Sequence, residues 1–226
     1  MMTHDPAAAK AFYGPVLGWR FDAGEVDGRG YDVILAGDAA IGGVLSLDGG
    51  APRPVWAAYV AVDALEAASE AVRAGGGALM MEGLPIPGMG RCALAADPDG
   101  ALFYMMEYDT APPGPAAAVP PAPGHCAWNE CAARDADRAI AFYTDLFGWR
   151  QEGELPMGEQ GSYRFLHHDD RMIGAVMPVG DTGMAPGWTF YFVVPDIDDG
   201  AAAIRAGGGT VHHDPVEIPG GDFSLS

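Results

Sequence analysis

Ala9, Phe12, Tyr13, Val16 and Leu17 recur at steps of three and four, which places them on one face of a helix. Ala139, Phe142, Tyr143, Leu146 and Phe147 repeat that pattern 130 positions later. Asp5-Pro6 supplies an N-cap and a first-turn proline, Asp135 caps the second copy, and Gly18 and Gly148 supply the C-terminal glycines. The Trp-Arg after each glycine opens a strand. Residues 11–22 and 141–152 are therefore two copies of one helix-to-strand unit, and a duplicated unit sets the architecture.

The rest of the chain follows the same doubling. Tyr31 to Leu35 and Ile41 to Leu47 predict two strands around Gly37-Asp38, matched by Tyr163 to Leu166 and Ile173 to Met177 around His168-Asp169-Asp170. Gly/Pro-rich joints follow at 49–54 and 180–187. Trp56 to Val62 then predicts a strand leading into a helix over 64–74 and Gly75-Gly-Gly77. Its counterpart is Trp188 to Val194, a helix over 196–206 and Gly207-Gly-Gly209. Ala78 to Met81, Arg91 to Ala96 and Leu102 to Tyr108 close the first copy, with a turn at Asp97-Pro98-Asp99-Gly100. Cys126 to Ala132 opens the second. Each half thus holds two βαβββ-like units. The halves are 1–109 and 125–226, joined by a Pro/Ala-rich linker over 110–124. Only Met1 to His4 precede the first helix, and no closing strand follows in the second half before Ser226. Open sheet edges of that kind predict pairing with another chain, hence a homodimer, or further residues past 226.

Composition narrows the partners. Hydrophobic residues make up 49% of the chain, so it can bury a core. Twelve basic against thirty-one acidic residues give a net charge of −19, which repels nucleic acid and anionic membranes. No membrane-length apolar run or signal segment stands out, and the chain reads as cytoplasmic. Cys92, Cys126 and Cys131 are odd in number and lack metal-like spacing, which predicts buried free thiols.

Residues 5–19, Ile86-Pro-Gly-Met-Gly-Arg91, Asp97-Pro-Asp-Gly100, residues 135–149 and Ile218-Pro219-Gly220 together resemble the vicinal-oxygen-chelate superfamily. This is the family of glyoxalase I, bleomycin-resistance proteins and extradiol dioxygenases. The chain is most similar to its four-module, glyoxalase-like branch, some of whose members belong to antibiotic gene clusters. The resemblance implies an α+β fold in which tandem βαβββ modules form two glyoxalase-like domains with half-open, barrel-like cups. It implies lyase, isomerase or oxygenase chemistry but does not settle whether this chain is an enzyme, because the fold also hosts pure binders.

The superfamily's metal is held by His, Gln or Glu on the opening and closing strands. The resemblance carries those positions onto Trp128, Thr189, Ala57 and Tyr104, and none is an imidazole or carboxylate. No metal and no cofactor are expected. His167-His168 and His212-His213 sit in a hairpin turn and on a strand after a helix, and adjacent strand residues point to opposite faces. They read as solvated surface residues. The glycine triplets follow helices, the reverse of a dinucleotide fingerprint, and read as turns.

Period-two alternation places Trp128 and Glu130, Thr189 and Tyr191, Ala57 and Tyr59, and Tyr104 and Met106 on the face of the lost ligand positions. Such a lining suits a small hydrophobic or aromatic molecule. Glu130 is the candidate general base, since burial raises a carboxylate pKa. The same aromatics would equally fill the cups as core, and Glu130 would equally stand at a solvated strand edge. Three functions follow: a metal-independent small-molecule binder or enzyme; a divalent-metal lyase or dioxygenase with displaced ligands; and a structural or interaction protein with filled cups.

Overall fold

The Asp135 carboxylate accepts the backbone N–H of Arg138 at 3.0 Å, and the Asp5 carboxylate accepts that of Ala8 at 2.9 Å. Both predicted helices start at these caps and end at left-handed glycines, Gly18 with φ 69° and Gly148 with φ 67°. Replacing Asp135 by Ala should cost about 1 kcal/mol in urea denaturation, the usual loss for an N-cap. The protein is described here by a computed structural model covering residues 1–47, 53–110, 122–180, 185–218 and 221–226.

The elements in order are β1 (Met2–Thr3), α1 (Pro6–Leu17), β2 (Trp19–Asp22), β3 (Glu25–Val26), β4 (Arg29–Ala36), β5 (Ala39–Ser46) and β6 (Tyr59–Ala61). Next come α2 (Leu65–Ala74), β7 (Ala78–Ile86), β8 (Gly90–Ala96), β9 (Leu102–Tyr108), β10 (Cys126–Ala133), α3 (Ala136–Phe147) and β11 (Arg150–Pro156). The chain continues with β12 (Ser162–His168), β13 (Arg171–Pro178), β14 (Gly187–Phe192), α4 (Ile197–Ala206), β15 (Val216–Glu217) and β16 (Phe223–Ser224). The sheets run β1-β5-β4-β2 with β3 on β4, β6-β9-β8-β7, β11-β12-β13-β10-β14, and β15-β16. Opening strands pair parallel with the last strand of their own unit: β1 on β5, β6 on β9 and β10 on β13. The observed class is α+β in βαβββ-like modules, as the repeat predicts.

Contacts divide the chain into two compact units that cross the sequence halves. One is Met1–Val55, Ala116–Ala127 and Phe192–Ser226; the other is Trp56–Pro115 and Trp128–Tyr191. The glycine triplets explain what holds each unit. In the second, a Cβ at Gly75 would stand 2.8 Å from the Phe142 ring, and one at Gly77 3.2 Å from it. In the first, a Cβ at Gly207 would stand 3.0 Å from the Phe12 ring and one at Gly209 2.8 Å from it. Each aromatic of a repeated helix thus seats on a bare-backbone turn. The second unit's core joins Leu65, Val72, Phe103 and Met105 to Cys131, Phe142, Tyr143, Leu166 and Val176.

Three expectations change. The strand predicted from Trp56 to Val62 is a strand only over Tyr59–Ala61, with the Ala58 carbonyl and the Val62 N–H adding bonds to β9 at its ends, while Val55 exchanges backbone bonds with Met2. The strand predicted around His212-His213 is absent: both backbone N–H groups bond the Ser226 carbonyl. β7 runs on to Ile86, with two register shifts against β8. The linker over 110–124 and the joint at 49–54 lie largely outside the described residues, the joint at 180–187 does so over 181–184, and Pro219-Gly220 does so wholly. None of the three cysteines is in a disulfide; Cys92 and Cys131 are buried and Cys126 is half-buried. Among the described residues no helix is long and apolar enough to cross a membrane.

Candidate functional site

β10 alternates faces. Cys131 and Ala133 enter the second unit's core, so Trp128 and Glu130 stand on the opposite face of the sheet. Glu130 is in register with Ala175 of β13, which is in register with Phe165 of β12. Tyr163, two residues before Phe165, shares that face. Its hydroxyl donates to Glu130 Oε2 at 3.0 Å and accepts the Trp128 indole N–H at 2.5 Å. Tyr191 of β14 brings a second hydroxyl to the same carboxylate, at 3.4 and 3.5 Å. Phe165 closes the group edge-on, with ring centroids 6.3 Å from Trp128 and 5.8 Å from Tyr163.

The electrostatics follow from that enclosure. Burial raises the Glu130 pKa above the ordinary carboxylate range, and the phenol donors of Tyr163 and Tyr191 draw it part of the way back. Burial, with the neighbouring Glu130 charge, pushes Tyr191 up to about 12 and raises Tyr163 as well. Both phenols therefore stay protonated and serve as donors at neutral pH. The result is one carboxylate held by two hydroxyls among aromatic rings, a ready acceptor for a proton.

The other predicted residues lie elsewhere. Tyr59 and Tyr104 are register partners on the β6-β9-β8-β7 sheet and stack at 4.4 Å with 10° between planes. Met106 follows on the same face and is buried, while Thr189 is exposed. The predicted set thus splits between two sheets: Trp128, Glu130 and Tyr191 are brought together, and Tyr59, Tyr104 and Met106 form a separate group. Sequence reasoning missed Tyr163. The signal was present, since Tyr163 and Phe165 alternate on a strand whose Leu166 is core.

The metal of the resembled superfamily finds no fitting donor set. Glu130 is a single carboxylate already bonded by phenols, and among the described residues no three of His, Cys, Asp and Glu come together. His167 Nε2 lies 3.2 Å from the Glu152 carbonyl and His213 Nδ1 3.0 Å from Ser226 Oγ, each pair serving local contacts.

Comparison with known proteins now decides the family. The family model described as Glyoxalase/Bleomycin resistance protein/Dioxygenase superfamily matches residues 1–105 and 123–224. The chain belongs to this superfamily. Among its relatives is "Putative glyoxylase CFP32" of Mycobacterium tuberculosis, 33% identical over 97% of this chain and 84% of that protein. "Anthracycline biosynthesis protein DauV" of Streptomyces sp. strain C5 is 26% identical over 96% of this chain and 83% of its own. In fold, the superfamily member is similar to the 2,2',3-trihydroxybiphenyl 1,2-dioxygenase of Sphingomonas wittichii RW1. That likeness has a TM-score of 0.63 at 16% identity, over 96% of this chain and 80% of the dioxygenase.

Proposed function

We propose that this superfamily member binds a small hydroxylated aromatic molecule on the outer face of β10, without a metal, and that the Glu130 carboxylate accepts a hydrogen bond from the ligand's hydroxyl. The observation that carries this is the Glu130 carboxylate, half-buried among Trp128, Tyr163, Phe165 and Tyr191 and held by two phenol donors. Ring faces supply apolar contact, and the carboxylate supplies the polar anchor that such sites use for orientation. A relative named for anthracycline biosynthesis supports an aromatic ligand. If the bound hydroxyl is acidic enough, the same contact makes Glu130 a general base.

The test uses 2,3-dihydroxynaphthalene, followed by melting temperature and by the Trp128 indole resonance. Wild type should bind and shift that resonance. Glu130→Gln should weaken binding by about tenfold or more, since a hydrogen bond to a charged acceptor is worth roughly 1.5–3 kcal/mol. Tyr163→Phe should weaken it less. Affinity should fall as the solution is acidified through the raised Glu130 pKa, at a pH above the ordinary value of 4.5, because protonation removes the acceptor. Glu130→Gln should flatten that profile. Unchanged affinity in Glu130→Gln, or a stoichiometric divalent metal in the purified protein, would replace this reading.

A further inference from the structure

The opposite faces of β10 and β14 border a second space. The second unit holds a half-open cavity of about 320 Å³, within the size range of small-molecule sites. Asn129 rather than Glu130, and Trp188 and Phe190 rather than Tyr191, face it. The cavity is thus separated from the Glu130 group by the sheet itself. Its far side is β6 with the preceding Ala58, where small side chains leave the space open.

Its walls are unusually fixed. The Trp188 indole N–H donates to the Tyr143 hydroxyl at 2.9 Å, and that hydroxyl donates to Asp97 Oδ2 at 3.0 Å. The polar ends of both aromatic side chains are thereby occupied by each other and by Asp97. Tyr143 meets Trp188 edge-on at 5.2 Å and 70°, stacks near-parallel with Trp149 at 5.8 Å and 23°, and Trp149 crosses Trp188 at 89°. Tyr143 is fully buried and fixes the other two rings from behind; the half-buried Trp149 and Trp188 form a corner, with Phe147 beside it. Such a corner offers stacking on one side and ring edges on the other, the two arrangements aromatic pairs prefer. Among the described residues its lining has no lysine, arginine or acidic side chain, and its one imidazole, His168, stands at the exposed rim, so the corner itself has no counter-charge for an ion.

We infer that this cavity is a second binding site, for an uncharged, flat aromatic molecule of one or two rings, independent of the Glu130 site. Its ligand differs in chemistry from the one proposed above: it needs ring faces and no hydroxyl. Two strands would then carry one aromatic site on each of their faces, and a larger substrate or a second component would be recognised separately from the first.

The experiment uses naphthalene, which has no hydroxyl for Glu130, and the indole N–H resonances of the five tryptophans. Saturable shifts are expected at Trp188 and Trp149, with Trp128 still. Ala58→Phe, which fills the cavity from β6, should weaken binding by tenfold or more. Glu130→Gln should leave it unchanged. Should Ala58→Phe fail to fold, Val60→Phe makes the same test from the same strand. Shifts confined to Trp128, no saturable shift in the folded wild type, or equal affinity in the filled variant would each overturn the inference. Failure of the Glu130 reading alone would appear only with the dihydroxy probe, so the two are distinguishable.

Discussion

Asp97→Ala should destabilise the protein by about 3–5 kcal/mol in urea denaturation, among the largest effects of any single substitution in the chain. Asp97 is 4% exposed. Its Oδ1 accepts the backbone N–H groups of Asp99 and Ala101, both at 2.9 Å, and its Oδ2 accepts the Tyr143 hydroxyl at 3.0 Å. Truncation strands these donors in a region that water does not reach, and the unmade bonds carry the cost. Tyr143→Phe removes one donor and leaves the Trp188 indole without its acceptor, for roughly 1–3 kcal/mol. The two losses share one network, so the double variant should cost less than their sum. Asp97→Asn keeps an acceptor for both backbone groups and should cost less than Ala. It also tests the charge. Burial raises the Asp97 pKa, so just above the ordinary carboxylate range the folded chain holds this proton more tightly than the unfolded chain. Stability from this group therefore falls as pH rises through that window, and Asp97→Asn should remove that slope.

Asp97 also shows where sequence reading stops. The turn Asp97-Pro98-Asp99-Gly100 is legible, because those residue types make turns for local reasons. That the carboxylate reaches Tyr143, 46 positions away, is not. Within one module, helix faces, caps and strand parity are local and periodic. They yielded α1, α3 and the shared face of Trp128 and Glu130. Which module's helix seats on which glycine turn depends on shape, and no period encodes it. Phe142 on Gly75 and Phe12 on Gly207 therefore emerged only in three dimensions. The inner cavity was hidden for a similar reason. It depends on β6 coming to lie opposite β10 and β14, a long-range placement that no local pattern carries. Tyr163 was within reach of alternation, but the face had been drawn from opening and closing strands and β12 is neither.

Gly174→Ala should join fold and site in one measurement. A Cβ at Gly174 would stand 2.3 Å from the Asn129 carbonyl oxygen and 3.1 Å from its carbon. Those are backbone atoms of β10, so no side-chain rotation relieves the clash and the strands must part. Overpacking of this kind costs about 1–3 kcal/mol, and a backbone collision belongs at the upper end, about 3 kcal/mol by urea denaturation. Asn129 lies between Trp128 and Glu130. A shift there moves the carboxylate relative to Tyr163, whose bond to it is 3.0 Å and has little slack before it weakens. The dihydroxynaphthalene affinity of the folded variant should therefore fall along with its stability. The adjacent change Ala175→Gly supplies the control, since it removes a methyl group in register with Glu130 without pushing β10. It should lose stability through the cavity it makes and through backbone freedom, yet keep the Tyr163–Glu130 bond and most of the affinity. Equal losses of affinity in the two variants would show that β10 is not what positions the site.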